Sequence, residues 1–112
     1  MLFNLTRQTT IAEKPVIAKS LWMRTRGMIG RKFDGFDALI FPQCNAVHTW
    51  FMGQALDLIF VDAQKAVLRI ETHVKPWRMI MGPMAAKTVI ELPPGKLCGI
   101  SLNCNDALFW EE

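Results

Sequence analysis

"LDLIFVDAQKAVLRIE", residues 56–71, consists of two apolar runs joined by a short polar segment. The segment "DAQK" has the length of a hairpin connection, so the pattern predicts that Leu56–Val61 and Ala66–Glu71 pair as antiparallel strands. In the second run Arg69 and Glu71 alternate with apolar residues, which indicates a strand with one face in solvent. The stretch therefore predicts a β fold built around a hairpin.

Other apolar runs lie at close spacing on both sides of this hairpin. They span residues 1–5, 15–20, 37–42, 46–52, 88–95, 97–103 and 106–110. One short helix is expected at residues 21–26, capped by Ser20 and ended by Gly27. The sequence thus predicts an all-β fold, a compact single-domain β-sandwich or barrel-like fold over residues 1–112, with about seven to nine short strands.

Composition agrees with one globular domain. Of the 112 residues, 51% are hydrophobic and 21% are charged, which excludes disordered and fibrous classes. Residues 1–35 hold seven Lys/Arg and two Asp/Glu, a net +5, while the remainder holds six and eight, a net −2. This asymmetry favours a basic face.

A nucleic-acid partner is not expected, because the basic residues are not interleaved with aromatic residues.

Cysteine usage and the N-terminus bear on cofactors and location. The three cysteines, Cys44, Cys98 and Cys104, form no CxxC pair, so neither a disulfide framework nor a zinc site is expected, and no cofactor is implied. The N-terminal residues lack the pattern of a secretory signal, and no run of about 20 apolar residues occurs. The expectation is a cytoplasmic, not membrane-spanning protein. An exported mature form is also compatible with the sequence.

Five motifs in order resemble a known family. They are "RTRGMIGR" (24–31), "HTWFM" (48–52), "LDLIFVD" (56–62), "VIELPPG" (89–95) and "GISLNCNDAL" (99–108). Together they resemble the uncharacterised domain family DUF192. The resemblance implies a small β-sandwich or barrel-like domain, in some members behind a secretory signal, and it implies no established activity.

The resemblance carries over to particular positions. The residues that match the family's motifs are Arg26, Gly27, Arg31, His48, Thr49, Met52, Asp57, Glu91, Leu92, Pro93 and Gly95. Two positions depart from the family's pattern. Leu56 stands where the family commonly has a proline, and Asn105 with Asp106 stands where it has Gly-Asp. These departures bear on the conformation of the loops and not on the fold.

Three residues are candidates for catalysis. A histidine held by a carboxylate is the unit used in general-base catalysis, and His48 and Asp57 are close enough in sequence for neighbouring strands to bring them together. Cys44 would complete a nucleophilic arrangement. In a regular strand, however, residues 44 and 48 stand about 13 Å apart. The competing interpretations are a structural hydrogen bond between His48 and Asp57, or an Asp57 carboxylate that is buried against backbone amides or paired with an arginine such as Arg26.

A ligand-binding cleft is the second candidate site. The residues assigned to it are His48, Thr49, Trp50, Met52 and Trp77. The long segment 73–86 is expected to cover this cleft as a functional loop, with Met79, Met81 and Met84 adding apolar side chains. Packing of the same side chains in the core is the alternative.

A third candidate is an anion site at the basic turn formed by Arg24, Arg26 and Arg31, since arginine matches carboxylate or phosphate. A solvated basic turn explains the same residues. Glu91 is a candidate partner of Arg24, Arg31 or Lys87.

These candidates favour a non-enzymatic domain that binds a small ligand, a glycan or a protein partner. The alternative function is a hydrolase-like or metal-assisted enzyme that uses His48 and Asp57 with Cys44. The sequence assigns no oligomeric state.

Overall fold

The computed structural model describes residues 1–18, 33–49 and 53–111. These residues form ten strands in three sheets and contain no helix. The strands are β1 (Leu2–Asn4), β2 (Thr9–Ala12), β3 (Pro15–Ile17), β4 (Ala38–Pro42), β5 (Ala46–His48), β6 (Leu56–Val61), β7 (Val67–Val74), β8 (Met79–Met81), β9 (Thr88–Leu92) and β10 (Leu108–Phe109). The helix predicted at residues 21–26 lies outside the described residues.

The central layer is a five-stranded sheet in the order β3-β4-β9-β6-β7. Strand β3 runs parallel to β4, and the other neighbours are antiparallel. All six residues of β6 are buried, which explains why this strand reads as a continuous apolar run. The hairpin of β6 and β7 confirms the pairing predicted for residues 56–71, with two irregularities in register.

Two further layers cover the two faces of this sheet. On one face, Ile59 and Ile90 pack with Leu2, Ile11 and Trp110, which come from the small sheet β10-β1-β2 and its C-terminal extension. On the other face, the cluster around Phe60 and Val89 receives Val47 and Ile80 from the two-stranded ribbon β5–β8. The central sheet is therefore buried between two thin β layers.

The predicted all-β class is confirmed. The barrel-like alternative is wrong, because the five-stranded sheet is open and ends at β3 and β7. The count of about seven to nine strands is too low, since β2 and β8 were not expected. In the part of the chain that the structure describes, no helix has the length and apolar character needed to cross a membrane.

The run "LCGISLN" (97–103), predicted as a strand, forms turns instead. Lys96 donates to Pro93, Cys98 to Gly95, and Ile100 to Leu97 through backbone groups. Gly95 and Gly99 have φ angles of 83° and 80°, a left-handed conformation that interrupts a strand. The apolar residues of this run therefore lie in consecutive turns, and the prediction of a strand is wrong.

The backbone conformation of Asn105 accounts for the Asn-Asp pair at residues 105–106, where the sequence departs from the Gly-Asp of the motif that it resembles. Its φ angle is 75°, in the left-handed region that asparagine tolerates better than most residues. The neighbouring Asp106 is buried and accepts hydrogen bonds from Asn4 and Arg7 at 2.9 and 2.8 Å. Asparagine thus takes the conformational role of glycine, and the aspartate next to it ties the C-terminal loop to the N-terminus.

Candidate functional site

The ribbon β5–β8 has an inner and an outer face. Val47 lies opposite Ile80 and both pack inward, whereas His48 lies opposite Met79 and Ala46 opposite Met81. Because side chains alternate along a strand, the inward pair leaves Met79 and Met81 on the outside. The ribbon therefore buries one row of side chains against the central sheet and exposes the other row to solvent.

Four large apolar side chains are exposed in residues 77–84, the eight-residue segment that contains β8. Their exposed fractions are 61% for Trp77, 56% for Met79, 61% for Met81 and 92% for Met84. We call these four residues the Met–Trp surface. Leaving such side chains in water forgoes on the order of 1.5–3 kcal/mol for each one that burial would supply. A cluster of this kind on a small protein marks an interaction site more often than a scattered apolar residue does.

Trp77 stands in an unusual backbone conformation. Its φ angle is 66°, in the left-handed region where a residue other than glycine costs on the order of 1–2 kcal/mol. The surrounding hydrogen bonds impose this conformation, since the N–H of Trp77 donates to the carbonyl oxygen of Thr49 at 3.0 Å. Strained residues of this kind persist where the structure holds them in place, and they concentrate at functional sites.

Thr49 is the residue that fixes this turn. It is fully buried, and its hydroxyl group donates to the carbonyl oxygen of Lys75 at 2.7 Å and accepts from the N–H of Arg78 at 2.8 Å. Its own N–H donates to the carbonyl oxygen of Arg78 at 2.8 Å. Thr49 thus bonds the chain on both sides of Trp77. Thr49, assigned to the ligand by sequence, lies beneath the surface as a positioning residue.

A second contact fixes the other end of the ribbon. Arg69 of β7 donates through Nη1 to the carbonyl oxygen of Met81 at 2.9 Å, and its Nε donates to Glu71 at 2.8 Å. Gly82 then donates its N–H to Asn45 at 2.7 Å and lies directly on the ring of Phe60. Arg69 and the close approach of Gly82 to Phe60 therefore hold the Met81 end of the ribbon against the central sheet.

The charge around the Met–Trp surface is positive. The segment from Thr72 to Lys87 contains three cationic residues and no Asp or Glu. Lys75 and Arg78, on either side of Trp77, are both exposed. The surface therefore combines apolar side chains with a basic surrounding, which suits an apolar partner that carries acidic groups.

The three candidate catalytic residues are not joined by hydrogen bonds. Side chains alternate along β6, so that Asp57 lies on the face of the central sheet that packs against the small sheet β10-β1-β2. The ribbon that contains His48 covers the opposite face. Cys44 donates its thiol to the carbonyl oxygen of Ala46 at 3.0 Å. The five-stranded sheet thus lies between the carboxylate of Asp57 and the ribbon.

Asp57 instead binds two backbone amides. Its Oδ1 accepts from the N–H of His73 at 2.8 Å, and its Oδ2 accepts from the N–H of Leu97 at 3.0 Å. The residue is buried, so these bonds offset the cost of removing the carboxylate from water. They tie the end of β7 and the turn after β9 to the central strand, in agreement with the interpretation of Asp57 as a carboxylate against backbone amides.

Glu91 is buried on the ribbon side of the central sheet, between Leu39 of β4 and Leu58 of β6. Among the described residues, no group hydrogen-bonds its Oε1. Burial raises the pKa of Glu91 to about 8. Lys87, one of its expected partners, is exposed, and Arg24 and Arg31 lie outside the described residues. Burial thus favours the protonated form of this glutamate in the folded chain.

A cleft of about 640 Å³ lies beyond one end of the central sheet. Its walls come from the end of β4, the turn after β6 and the segment before β9. They are formed by Pro42, Gln43, Cys44, Asn45, Asp62, Ala63, Lys65, Ala86, Lys87, Thr88 and Trp110. Sequence reasoning missed this cleft, because it depends on β9 lying between β4 and β6, an order that short β runs do not reveal.

Several predicted site residues lie outside the described part of the chain. These are Trp50 and Met52 of the ligand site and Arg24, Arg26 and Arg31 of the anion site. Within residues 1–18, 33–49 and 53–111, no group of three or more His, Cys, Asp or Glu side chains is placed to hold a metal ion.

Comparison with known proteins identifies the family. The model of the DUF192 family, described as "Uncharacterized ACR", matches residues 4–110. The chain belongs to the DUF192 family. A UPF0127 protein of Pyrococcus furiosus is similar to this DUF192 chain, with 31% identity over 115 residues that cover 99% of this chain and 98% of the relative.

Two solved structures share the fold of this DUF192 chain. A protein of unknown function from Novosphingobium aromaticivorans superposes with a TM-score of 0.73 at 20% identity, covering 86% of this chain and 74% of the other. A protein from Sinorhizobium meliloti, described as a candidate transcription regulator, gives 0.80 at 16% identity, covering 96% and 88%. At these identities the likeness concerns the fold alone.

Proposed function

We propose that this DUF192 protein is a non-enzymatic binding domain that holds a protein partner on the Met–Trp surface. The observation that carries the proposal is the strained, exposed Trp77, which the hydrogen bonds of Thr49 hold in place. Strained residues of this kind concentrate at functional sites, and a partner bound through the exposed part of the indole gives one reason for the arrangement.

The composition of the surface supports a protein partner. Methionine side chains are flexible and polarisable, and they adapt to irregular apolar partners, while tryptophan is the side chain most often found to dominate binding energy. The basic surrounding of Lys75 and Arg78 favours a partner with acidic residues beside its apolar patch. The partner we propose is therefore an apolar protein segment flanked by Asp or Glu.

The hydrogen bonds of the candidate catalytic residues support a non-enzymatic role. Asp57 is engaged with two backbone amides on one face of the sheet, and the thiol of Cys44 is engaged with Ala46. A nucleophile and its base need to lie within hydrogen-bond reach of each other.

The test is site-specific photocrosslinking in cells. A photoreactive phenylalanine analogue replaces Met84, and in a matched control it replaces Phe109, which is 47% exposed on β10 in the other outer layer. We expect one protein to crosslink at position 84 and not at position 109, and its purified form to bind with an affinity that falls with ionic strength. The same variant with Trp77→Gly should lose the crosslink.

Two results would contradict the proposal. Identical crosslinking at positions 84 and 109 would remove the specificity of the surface. Binding of the purified domain to anionic lipid vesicles, abolished by Trp77→Gly, without a specific protein crosslink would assign the surface to a membrane instead of a protein.

A further inference from the structure

Three methionine sulfurs are concentrated on one short part of the ribbon β5–β8 and the turn after it. The sequence "MIMGPM", residues 79–84, contains Met79, Met81 and Met84. Met79 and Met81 belong to the outward row of β8, because Ile80 between them packs inward. The three methionines have exposed fractions of 56%, 61% and 92%. The outer side of the ribbon therefore presents thioether groups to solvent at three neighbouring positions.

The spacing of these methionines allows their sulfur atoms to converge. Residues i and i+2 of a strand stand about 7 Å apart, which is the separation of Met79 and Met81 along β8. The chain from Met81 to Met84 spans at most about 11 Å. A methionine side chain is unbranched and has three rotatable bonds, so it covers such distances by changing rotamer. The three sulfurs can therefore reach one ion.

The backbone that carries these side chains is fixed near Met81. Its carbonyl oxygen accepts from Nη1 of Arg69 at 2.9 Å. The N–H of the next residue, Gly82, donates to the carbonyl oxygen of Asn45 at 2.7 Å. The residue opposite Met81 on β5 is Ala46, whose single methyl group does not obstruct the thioether from across the ribbon. Flexible donors thus stand on an anchored strand, which holds a binding site in place.

The sulfur donors select a class of metal ion. Thioether sulfur is a soft ligand that favours copper(I), whereas carboxylate, carbonyl and water ligands suit magnesium, calcium and manganese. The segment from Thr72 to Lys87 contains no Asp or Glu, so the chain around the methionines supplies no carboxylate for a harder ion. The donor set therefore matches a soft monovalent ion such as copper(I).

The neighbouring cations favour a monovalent ion over a divalent one. Lys75 and Arg78 are both exposed in the segment that leads to β8, and they repel any metal ion that approaches. Coulomb repulsion is proportional to the charge of the ion, so a divalent ion meets twice the repulsion that a monovalent ion meets. Salt screens this repulsion at an exposed surface. Binding through sulfur to a monovalent ion therefore opposes only a small electrostatic cost.

We infer that Met79, Met81 and Met84 form a binding site for copper(I), which their three thioether sulfurs hold. The inference goes beyond the proposed protein partner and does not depend on it, because the donors all come from this chain. It concerns the sulfur atoms, whereas the proposed partner contacts the apolar surface of the same side chains. Replacing sulfur by carbon therefore separates the two kinds of binding.

The experiment is an NMR titration of the whole chain, labelled at the methionine methyl groups, with silver(I) nitrate in a chloride-free buffer. Silver(I) has the charge and the filled d shell of copper(I) and does not oxidise in air. Cys98→Ser and Cys104→Ser are present in every sample, because these exposed thiols bind the same ions. We expect the methyl signals of the three site methionines to shift together and saturate. The signal of Met1, which is 58% exposed beside β1, should not follow them.

Met81→Leu is the test variant, and Met1→Leu is its matched control. Leucine keeps the approximate size and the apolar character of methionine and removes the sulfur. Met81→Leu should weaken silver(I) binding at least about tenfold, while Met1→Leu leaves it unchanged. Cys44 keeps its thiol in both variants and so does not account for a difference between them. Crosslinking of the protein partner should persist in Met81→Leu, since the apolar surface remains.

Three results would overturn the inference. The site methionines fail to saturate below about 1 mM silver(I), Met1 shifts as strongly as they do, or Met81→Leu binds silver(I) as the parent chain does. Equal shifts with zinc(II) would likewise assign the response to general cation binding instead of sulfur chemistry. Unchanged spectra of metal-free Met81→Leu show that the variant is folded. Normal silver(I) binding without any crosslinked protein contradicts the proposed function alone.

Discussion

Thr49 holds Trp77 in its left-handed conformation by bonding to the chain before, at and after it. The carbonyl oxygen of Thr49 receives the N–H of Trp77, and the hydroxyl group of Thr49 bonds to the backbone of Lys75 and Arg78. A buried residue directly after β5 thereby sets the direction of an exposed indole on the neighbouring segment. The relationship connects the core to the Met–Trp surface.

Removing the hydroxyl group of Thr49 is expected to destabilise the chain. In Thr49→Val the N–H of Arg78 and the carbonyl oxygen of Lys75 lose their partner in a buried site, which costs about 1–3 kcal/mol of unfolding free energy. Thr49→Ser keeps the hydroxyl group and should lose less. Urea unfolding of the three proteins measures the difference, and an equal loss in both variants would show that the methyl group, rather than the hydroxyl group, matters.

Gly82 is expected to tolerate no side chain. A Cβ atom there would stand 2.4 Å from the ring of Phe60 and 2.8 Å from the carbonyl oxygen of Asn45. Gly82→Ala therefore has to displace the ribbon, at a cost of about 1–3 kcal/mol. Gly53→Ala is the matched control, since no atom of the described residues lies within 4 Å of a Cβ atom at that position. Thermal unfolding compares the two variants, and equal stabilities would contradict the close contact.

Asp57 and Asp62 provide a paired test of the role of a carboxylate. Asp57 uses both of its oxygens, one for His73 and one for Leu97, whereas Asp62 uses only Oδ1 for both of its amides. An asparagine keeps one acceptor oxygen. Asp57→Asn should therefore lose about 1–3 kcal/mol of stability, because its amide group faces a backbone N–H, while Asp62→Asn stays close to the unaltered chain. Denaturant unfolding of both variants measures this, and similar losses would refute the assignment.

The protonation of Glu91 is expected to make stability depend on pH. Burial raises the pKa of Glu91 from 4.5 to about 8, so the folded chain keeps a proton that the unfolded chain releases above pH 4.5. The stability contributed by this group is complete below pH 4.5 and is lost as the pH rises through 8, at up to about 1.4 kcal/mol per pH unit.

Glu91→Gln isolates this effect, because glutamine has the same shape and does not ionise. The difference in unfolding free energy between variant and unaltered chain should grow in favour of the variant from about pH 5 to about pH 8. Urea unfolding across this range provides the measurement. A difference that stays constant with pH would mean that Glu91 does not carry the proton.

The fold was predictable where contacts are local. The hairpin of β6 and β7 follows from two apolar runs and a four-residue connection. Strand β8 was missed because Pro76, Gly82 and Pro83 read as a loop, and its pairing with β5 crosses more than thirty residues of chain. Turns with Gly95 and Gly99 likewise replaced a strand that composition favoured.

The site was predictable by residue type and not by geometry. The sequence assigned Trp77 and the methionines to an apolar cleft, with core packing as the alternative, whereas the structure exposes all four side chains. The nine-residue spacing of His48 and Asp57 did not indicate on which face of the central sheet each residue would lie. The two faces are determined by the packing of the ribbon on the central sheet, a tertiary contact that a local sequence pattern does not encode.

The most direct test of the account is the affinity of Trp77→Gly for the crosslinked partner, measured by calorimetry beside its unfolding free energy. Glycine relieves the left-handed strain and removes the indole, so we expect affinity to fall at least about tenfold while stability stays equal or rises by about 1 kcal/mol. Unchanged affinity, or a loss of affinity that accompanies unfolding, would contradict the assignment of the Met–Trp surface as the binding site.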